Sequence, residues 1–201
     1  MTVTALNRVR GGISLHLDGA YRLTLHPGAV GGLSVGQPLE EEQLEELARD
    51  SALLSAKARA MRLLSQRSYS SRGLFEKLAE QDGEEAARAA VGRMDELGCL
   101  DDGDYARRYA AQCLRKGLSP GLTARKLAEK GIERELIEEI LAEGEEEPEE
   151  AIARIIRRKY LSAIGDEKGL RRTQNALLRL GYRHGEIRAA LQLLEDESHY
   201  E

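Results

Sequence analysis

The sequence predicts a mainly α-helical protein of three tandem three-helix repeats forming an elongated curved rod, with a small N-terminal β-hairpin or meander. The main observation is a pattern that returns at a nearly fixed interval. A shift of 49 residues places Arg67–Leu78 on Lys116–Leu127 without a gap, and a further shift of 50 places Leu127 on Leu177. Such a period indicates similar units that bury their apolar faces on one another. Composition agrees, since aromatic residues make up only 4% of the chain and charged residues 32%.

Residues 1–38 are predicted to form the β-rich extension. Apolar and polar residues alternate over Ile13–Leu17 and again over Tyr21–Leu25, which is the period of a half-buried strand. Asp18-Gly19 lies between them and suits a tight hairpin turn, because both residue types tolerate positive φ. A strand near Val3–Val9 would complete a meander. Because two or three short strands are marginally stable alone, we expect this extension to pack against the helical body.

Residues 39–99 are predicted to contain a Glu-rich linker helix followed by repeat 1. Ser70 is the expected N-cap of the second helix of this repeat, and Gly98 is expected to end its third helix. The apolar stripe predicted for the first helix of the repeat comprises Leu53, Leu54, Ala58, Met61 and Leu64. The stripe predicted for the third helix comprises Ala86, Ala87, Ala90, Val91, Met94 and Leu97.

Repeat 2 is predicted over residues 100–143 and repeat 3 over 151–195, with an acidic linker at 144–150 and an acidic tail at 196–201. Ser119-Pro120 is a clear helix start, because a hydroxyl cap precedes a proline whose missing N–H costs nothing at the first helical position. The side chains expected to face inward on the first helix of repeat 2 are Tyr105, Tyr109, Cys113 and Leu114.

Charge is distributed unevenly along the chain, whose net charge is −5. Residues 151–191 contain ten Arg or Lys residues and only three acids, whereas 143–150 contain six acids. Arg154, Arg157 and Arg158 share one helix face, so we expect their guanidinium groups to project together. The pattern fits either a solvated face or an anionic partner, meaning a DNA backbone or an acidic protein groove. The candidate partner contacts are Arg154, Arg157, Arg158, Lys159, Arg171, Arg172, Lys77 and Lys126.

Other motifs give no support for an enzyme, a metal site or a cofactor. The four histidines have no second ligand at helical spacing, and the acids of Asp101–Asp104 depart from the calcium-loop pattern, so that helix capping explains them better. Cys99 and Cys113 form no CxxC pair, and we expect reduced, mostly packed thiols in a cytoplasmic protein. We expect neither a secretory signal nor a membrane-spanning segment.

Three segments together carry a family resemblance: RSYSSRGLFEKL, DELGCLDDGDYARRYA and LAEKGIERELIEEIL. They are similar to the bacterial RecX family, regulators of the RecA recombinase, over about residues 50–195. The residues treated as structural members of this motif set are Arg67, Ser70, Leu78, Leu100, Asp101, Asp102, Tyr105, Ala106, Ser119, Leu127 and Gly131.

The resemblance implies a cytoplasmic, monomeric, non-enzymatic protein without a cofactor. Its implied partner is the RecA–single-stranded DNA filament, accompanied by weak direct binding of single- or double-stranded DNA. The implied effect is inhibition of strand exchange, ATP hydrolysis and coprotease activity in DNA recombination, repair and the SOS response. Capping, blocked growth, disassembly of the filament and assistance to RecA all remain open. Two alternatives are a free nucleic-acid-binding helical repeat and a generic protein-interaction scaffold.

Overall fold

A computed structural model of the chain describes residues 1–144 and 147–198. The predicted linker residues Glu145 and Glu146, and the tail residues 199–201, lie outside that described part. The strands are β1 (Val3–Val9), β2 (Gly12–Leu17) and β3 (Ala20–Leu25). The helices are α1 (Glu41–Gln66), α2 (Ser71–Asp82), α3 (Glu84–Glu96), α4 (Asp102–Arg115), α5 (Pro120–Glu129), α6 (Arg134–Ala142), α7 (Pro148–Lys159), α8 (Glu167–Arg179) and α9 (His184–Ser198). Two compact units result, Met1–Asp101 and Asp102–Glu201.

The N-terminal strands form the predicted meander, an antiparallel sheet in the order β1-β2-β3. Asp18 and Gly19 have φ angles of 50° and 85°, so both residues adopt the positive φ that the tight turn requires. The sheet packs on the start of α1, where Leu15 and Leu25 meet Leu44 in one apolar cluster. The prediction that the extension packs against the helical body is therefore confirmed.

Helix α1 differs from the sequence expectation in two ways. The Glu-rich segment and the first helix of repeat 1 are one continuous helix of 26 residues. The apolar stripe is also rotated, because Ala56 and Ala60 are buried whereas Ala58 is exposed and Met61 is 63% exposed. Small alanines face α2 and α3 because their short side chains allow helices to approach closely, and the larger Met61 is left at the surface.

Helices α2 and α3 complete the core of the N-terminal unit. Ser70 caps α2 as predicted, since its Oγ accepts a hydrogen bond from the N–H of Gly73 at 3.1 Å. The prediction for Leu97 is wrong, because α3 ends at Glu96 and Leu97 is 52% exposed in the turn that follows. Cys99 in this turn is exposed, whereas the sequence predicts a packed thiol.

The C-terminal unit contains two three-helix repeats, α4–α6 (repeat 2) and α7–α9 (repeat 3). Leu127 and Ile137 are buried in the core of repeat 2, and Leu177 and Ile187 are buried in that of repeat 3. Ser119 caps α5 as predicted, because its Oγ accepts a hydrogen bond from the N–H of Leu122 at 3.1 Å. Helix α7 begins at Pro148, inside the segment predicted as an acidic linker.

Candidate partner-binding groove

Helix α7 positions the basic residues of repeat 3 by burying its isoleucines. Ile152 and Ile156 are fully buried and Ile155 is 9% exposed, all in the core of repeat 3. Because this face is fixed by packing, Arg154 and Arg158 are turned to the surface. Glu149 and Glu150 lie in the first turn of α7 and Arg157, Arg158 and Lys159 in its last turn, an order that interacts favourably with the helix dipole.

The end of α4 lies against α7 in the same unit. The chain leaves α4 through Gly117, whose φ of 90° is readily adopted by glycine. A Cβ at Gly117 would lie 3.2 Å from Cδ1 of Ile155, so the absent side chain also permits close approach. The N–H of Leu118 donates to the carbonyl of Cys113 at 3.1 Å and closes the helix end.

A groove of about 420 Å³ forms where these two helix ends meet. Two segments line it, one at the end of α4 and one along α7. The lining residues are Leu114, Arg115, Lys116, Gly117, Arg154, Ile155, Arg158 and Lys159. Five of these eight described residues are cations and none is an acid, so the groove is strongly positive. We call it the basic groove.

Hydrogen bonding holds repeat 2 against repeat 3 beside the basic groove. The N–H of Ser119 donates to the carbonyl of Leu180 at 2.8 Å. A Cβ at Gly181 would lie 2.5 Å from Oγ of Ser119 and 2.6 Å from Cβ of Leu122. The turn after α8 therefore fits on the start of α5 only because residue 181 has no side chain, and this contact keeps the groove walls in register.

The basic groove contains some of the predicted contact residues and excludes others. Arg154, Arg158 and Lys159 line it, but Arg157 does not. Arg157 turns towards α9, where its Nη2 donates to Oε1 of Glu197 at 2.6 Å. The expectation that three arginines of α7 project together is therefore corrected, because Glu197 attracts one of them to the other side.

The remaining predicted contacts lie apart from the groove lining. Arg171 pairs with Glu167 at 2.6 Å on α8, and Arg172 is exposed beside it. Lys77 pairs with Glu80 at 3.1 Å on α2, and Lys126 is half-buried on α5. Their roles as partner contacts remain predictions.

The family-motif residues occupy structural positions. Arg67 lies over the ring of Tyr69 at 4.5 Å from its centroid, and Tyr105 stacks on Tyr109 with ring centroids 5.9 Å apart. Gly131 has a φ of 79° in the turn after α5. The others are caps, core residues or members of the first turn of α4 and the residue before it: Ser70, Leu78, Leu100, Asp101, Asp102, Ala106, Ser119 and Leu127.

Sequence reasoning missed Arg115 and Lys116, and it placed Leu114 inside although 36% of Leu114 is exposed. Helical spacing offered a usable signal for these cations. Exposed arginines such as Arg108 and Arg125 have a carboxylate four residues away and pair with it. No acid stands three or four residues before Arg115 or Lys116 on α4.

No group of three or more His, Cys, Asp or Glu side chains that could hold a metal ion occurs in the described part of the chain. Partial burial, and secondarily the neighbouring Cys113, raises the pKa of Tyr109 above its ordinary value. Of the described helices, none combines the length and the apolar character needed to cross a membrane.

An acidic cavity of about 600 Å³ lies in the N-terminal unit, between α1 and the α2–α3 turn. Glu46, Glu84 and Glu85 are among its lining residues. Asp82 also lines it, but its carboxylate is engaged by Nε of Arg59 at 2.8 Å. The two units therefore carry cavities of opposite charge.

Known proteins resemble this chain in sequence and in fold. The family description "RecX, second three-helix domain" matches residues 101–141. A Streptomyces coelicolor protein named Regulatory protein RecX is 34% identical over 148 residues, which cover 71% of this chain and 79% of that protein. A Thermus thermophilus protein of the same name is 44% identical over 61 residues, or 30% of this chain and 43% of the relative, so this second match spans less than half of its length. A solved structure described as "Crystal structure of regulatory protein RecX" has a similar fold, with a TM-score of 0.61 over 95% of this chain and 98% of that one at 20% identity.

Proposed function

This chain belongs to the RecX family of regulatory proteins, and from that premise we propose that it binds the RecA–single-stranded DNA filament and inhibits RecA. The activities lowered would be strand exchange, ATP hydrolysis and coprotease action, in DNA recombination, repair and the SOS response. The observation that carries the proposal is the 34% identity over 148 residues to a protein named Regulatory protein RecX.

The surface of the described residues supports a role in binding and not in catalysis. The basic groove collects five cations, which favours an anionic partner through long-range attraction. We propose a non-enzymatic, monomeric protein that needs no cofactor and acts in the cytoplasm, where RecA filaments form.

The direct test is the ATPase rate of RecA on single-stranded DNA, titrated with this protein. We expect inhibition below one molecule per RecA monomer, because a regulator that contacts neighbouring subunits affects more than one of them. Inhibition should weaken as salt is added, since screening shortens the reach of the attraction. An unchanged rate up to one molecule per monomer, at low and moderate salt, contradicts the proposal.

A charge-reversal variant tests the basic residues of α7 in the same assay. Arg154→Glu, Arg157→Glu and Arg158→Glu together should leave the helical circular dichroism intact, because exposed helix positions tolerate such changes, and should markedly weaken inhibition. The matched control reverses Arg108, Arg125 and Arg134, which are exposed on repeat 2 and outside the groove lining. Equal losses in both triple variants would mean that only the net charge matters.

The five cations of the basic groove favour one second candidate, a helical repeat that binds nucleic acid without RecA. This alternative requires binding of bare DNA with a steep dependence on salt. Tight binding to single-stranded DNA, combined with no effect on RecA, would select it.

A further inference from the structure

The basic groove has an apolar floor as well as a cationic rim. Leu114 contributes from α4 and is 36% exposed, and Ile155 contributes from α7 beside the bare main chain of Gly117. The hydrocarbon stems of the surrounding Arg and Lys residues extend apolar walls upwards, while their charged ends reach water. The groove therefore offers both apolar contact and positive charge in one site.

Four of the five cations on the rim have no counter-charge in the described part of the protein. Arg115, Lys116, Arg158 and Lys159 have no carboxylate partner among the described residues. Three exposed arginines of repeat 2 differ in this respect, because Arg108, Arg125 and Arg134 each pair with a carboxylate four residues away. Like charges held together in a groove repel one another, so an anionic ligand is favoured both by attraction and by relief of that repulsion.

We propose that the basic groove binds an acidic protein segment with an aliphatic anchor. Carboxylates of the segment pair with Arg115, Lys116, Arg158 and Lys159. A Leu- or Ile-like side chain covers Leu114 and the small part of Ile155 that is exposed in the groove. Arginine suits such a rim, because its planar guanidinium can bind a carboxylate through two parallel hydrogen bonds. The inference names the chemistry of the partner surface, and it rests on the proposed function only for the identity of that partner.

A nucleic-acid backbone fits the same groove less well. Phosphates would satisfy the cations but would leave the apolar floor of Leu114 and Ile155 uncovered. Bases would need aromatic side chains on which to stack, and none of the described lining residues is aromatic. An aliphatic side chain removes the floor from water, which is favourable in proportion to the apolar area buried.

The experiment uses three fluorescent probes and fluorescence anisotropy on the full chain. The first is an 11-residue peptide with two central leucines flanked by Glu and Asp, and the second replaces both leucines by Ser. The third is an oligothymidylate of similar net charge. We expect the leucine peptide to bind at least about fivefold more tightly than the serine peptide, because only the former covers the apolar floor.

Variants locate the binding site. Lys116→Glu combined with Arg158→Glu should weaken binding of the leucine peptide at least about tenfold, as loss of charge partners at a small site does. Arg125→Glu combined with Arg134→Glu makes the same change in net charge on exposed positions outside the groove, and it should change affinity by less than about twofold. Leu114→Ser should weaken the leucine peptide and leave the serine peptide unchanged, a readout that loss of folding would not produce.

Several outcomes would overturn the assignment. These are leucine and serine peptides that bind equally, equal losses in both double variants, no leucine-peptide binding up to about 1 mM, or a preference for oligothymidylate that depends on Lys116 and Arg158. The last result would make the groove a nucleic-acid site.

The RecA ATPase assay separates this inference from the proposed function. Failure of the wild-type protein to bind the leucine peptide, together with full inhibition of RecA, overturns the groove assignment and leaves the proposed function standing. If the wild-type protein binds the leucine peptide through the groove but has no effect on RecA, the groove assignment stands and the proposed function is contradicted.

Discussion

Repeats 2 and 3 place buried side chains at equivalent positions 50 residues apart, but their surfaces carry different charge. Thr123 and Leu127 on α5 correspond to Thr173 and Leu177 on α8, and all four are buried. The starts of α5 and α8 differ, because α8 starts at Glu167, about one turn earlier than the 50-residue period predicts. In this first turn Gly169 lies against the carbonyl of Ala163.

The surfaces of the same two repeats follow different rules. Residues 100–142 contain eight basic and eight acidic residues, while 151–191 contain ten and three. Core positions are constrained because an interior is densely packed and a change of one methylene affects stability. Exposed positions are free of that constraint, so repeat 2 carries balanced charge, whereas repeat 3 has an excess of cations and supplies three of the five that line the basic groove. Duplicated folds of this kind separate the residues that hold the structure from those that select a partner.

Truncation of the equivalent leucines tests the shared core most strongly. Leu127→Ala and Leu177→Ala should each lower the free energy of unfolding by about 2–4 kcal/mol, because both side chains are fully buried. Chemical denaturation followed by circular dichroism measures the change. Leu161→Ala is the control, since this leucine is largely exposed. Wild-type stability in either core variant would show that the two positions are not equivalent.

Gly181→Ala tests the contact that joins the two repeats. We expect a loss of about 2–3 kcal/mol, because the new Cβ meets Ser119 and Leu122 and residue 181 also has a φ of 92°. Gly98→Ala is the control, because Gly98 has a φ of 67° but an added Cβ there would meet no atom within 4 Å. Backbone strain alone should then lower the free energy of unfolding by about 1 kcal/mol. Equal losses in thermal or denaturant unfolding would mean that the junction contact contributes nothing.

The buried threonines offer a stabilising change in both repeats. Oγ1 of Thr123 and Oγ1 of Thr173 have no hydrogen-bond partner among the described residues. Thr123→Val and Thr173→Val should each raise the free energy of unfolding by about 1 kcal/mol, because burial of an unpaired hydroxyl is costly. Repeat 1 has Leu74 at the aligned position, so an apolar side chain is compatible with the fold. A loss of stability in either variant would indicate that its hydroxyl is bonded.

The smallest expected effect concerns the ion pair between α7 and α9. Arg157 and Glu197 are 43% and 53% exposed, so solvent screens their attraction. A double-mutant cycle with Arg157→Ala and Glu197→Ala should give a coupling of about 0.5 kcal/mol or less in denaturant unfolding. A coupling above about 1 kcal/mol would place this pair among the supports of repeat 3.

Local sequence signals predicted most of the helices and strands, but they did not predict the buried face of every helix. The caps at Ser70 and Ser119 were readable because each accepts a hydrogen bond from an N–H three residues further along the chain. The Asp18-Gly19 turn was readable because both residue types tolerate the positive φ that it requires. The phase of α1 was not readable, since Leu53, Met61 and the alanines of α1 fit more than one stripe. The choice of Ala56 and Ala60 depends on how closely α2 and α3 approach.

The candidate groove shows the same division between local and distant determinants. The sequence by itself determined that repeat 3 is basic, because charge can be counted along the chain, and that Arg154 and Arg158 share a face, because a helix brings residues four apart together. Only the tertiary structure decided that Arg115 and Lys116 join them and that Arg157 turns to Glu197. Those pairings join residues about 40 positions apart, and they follow from the packing of Gly117 on Ile155 and of α9 on α7, which no local pattern encodes.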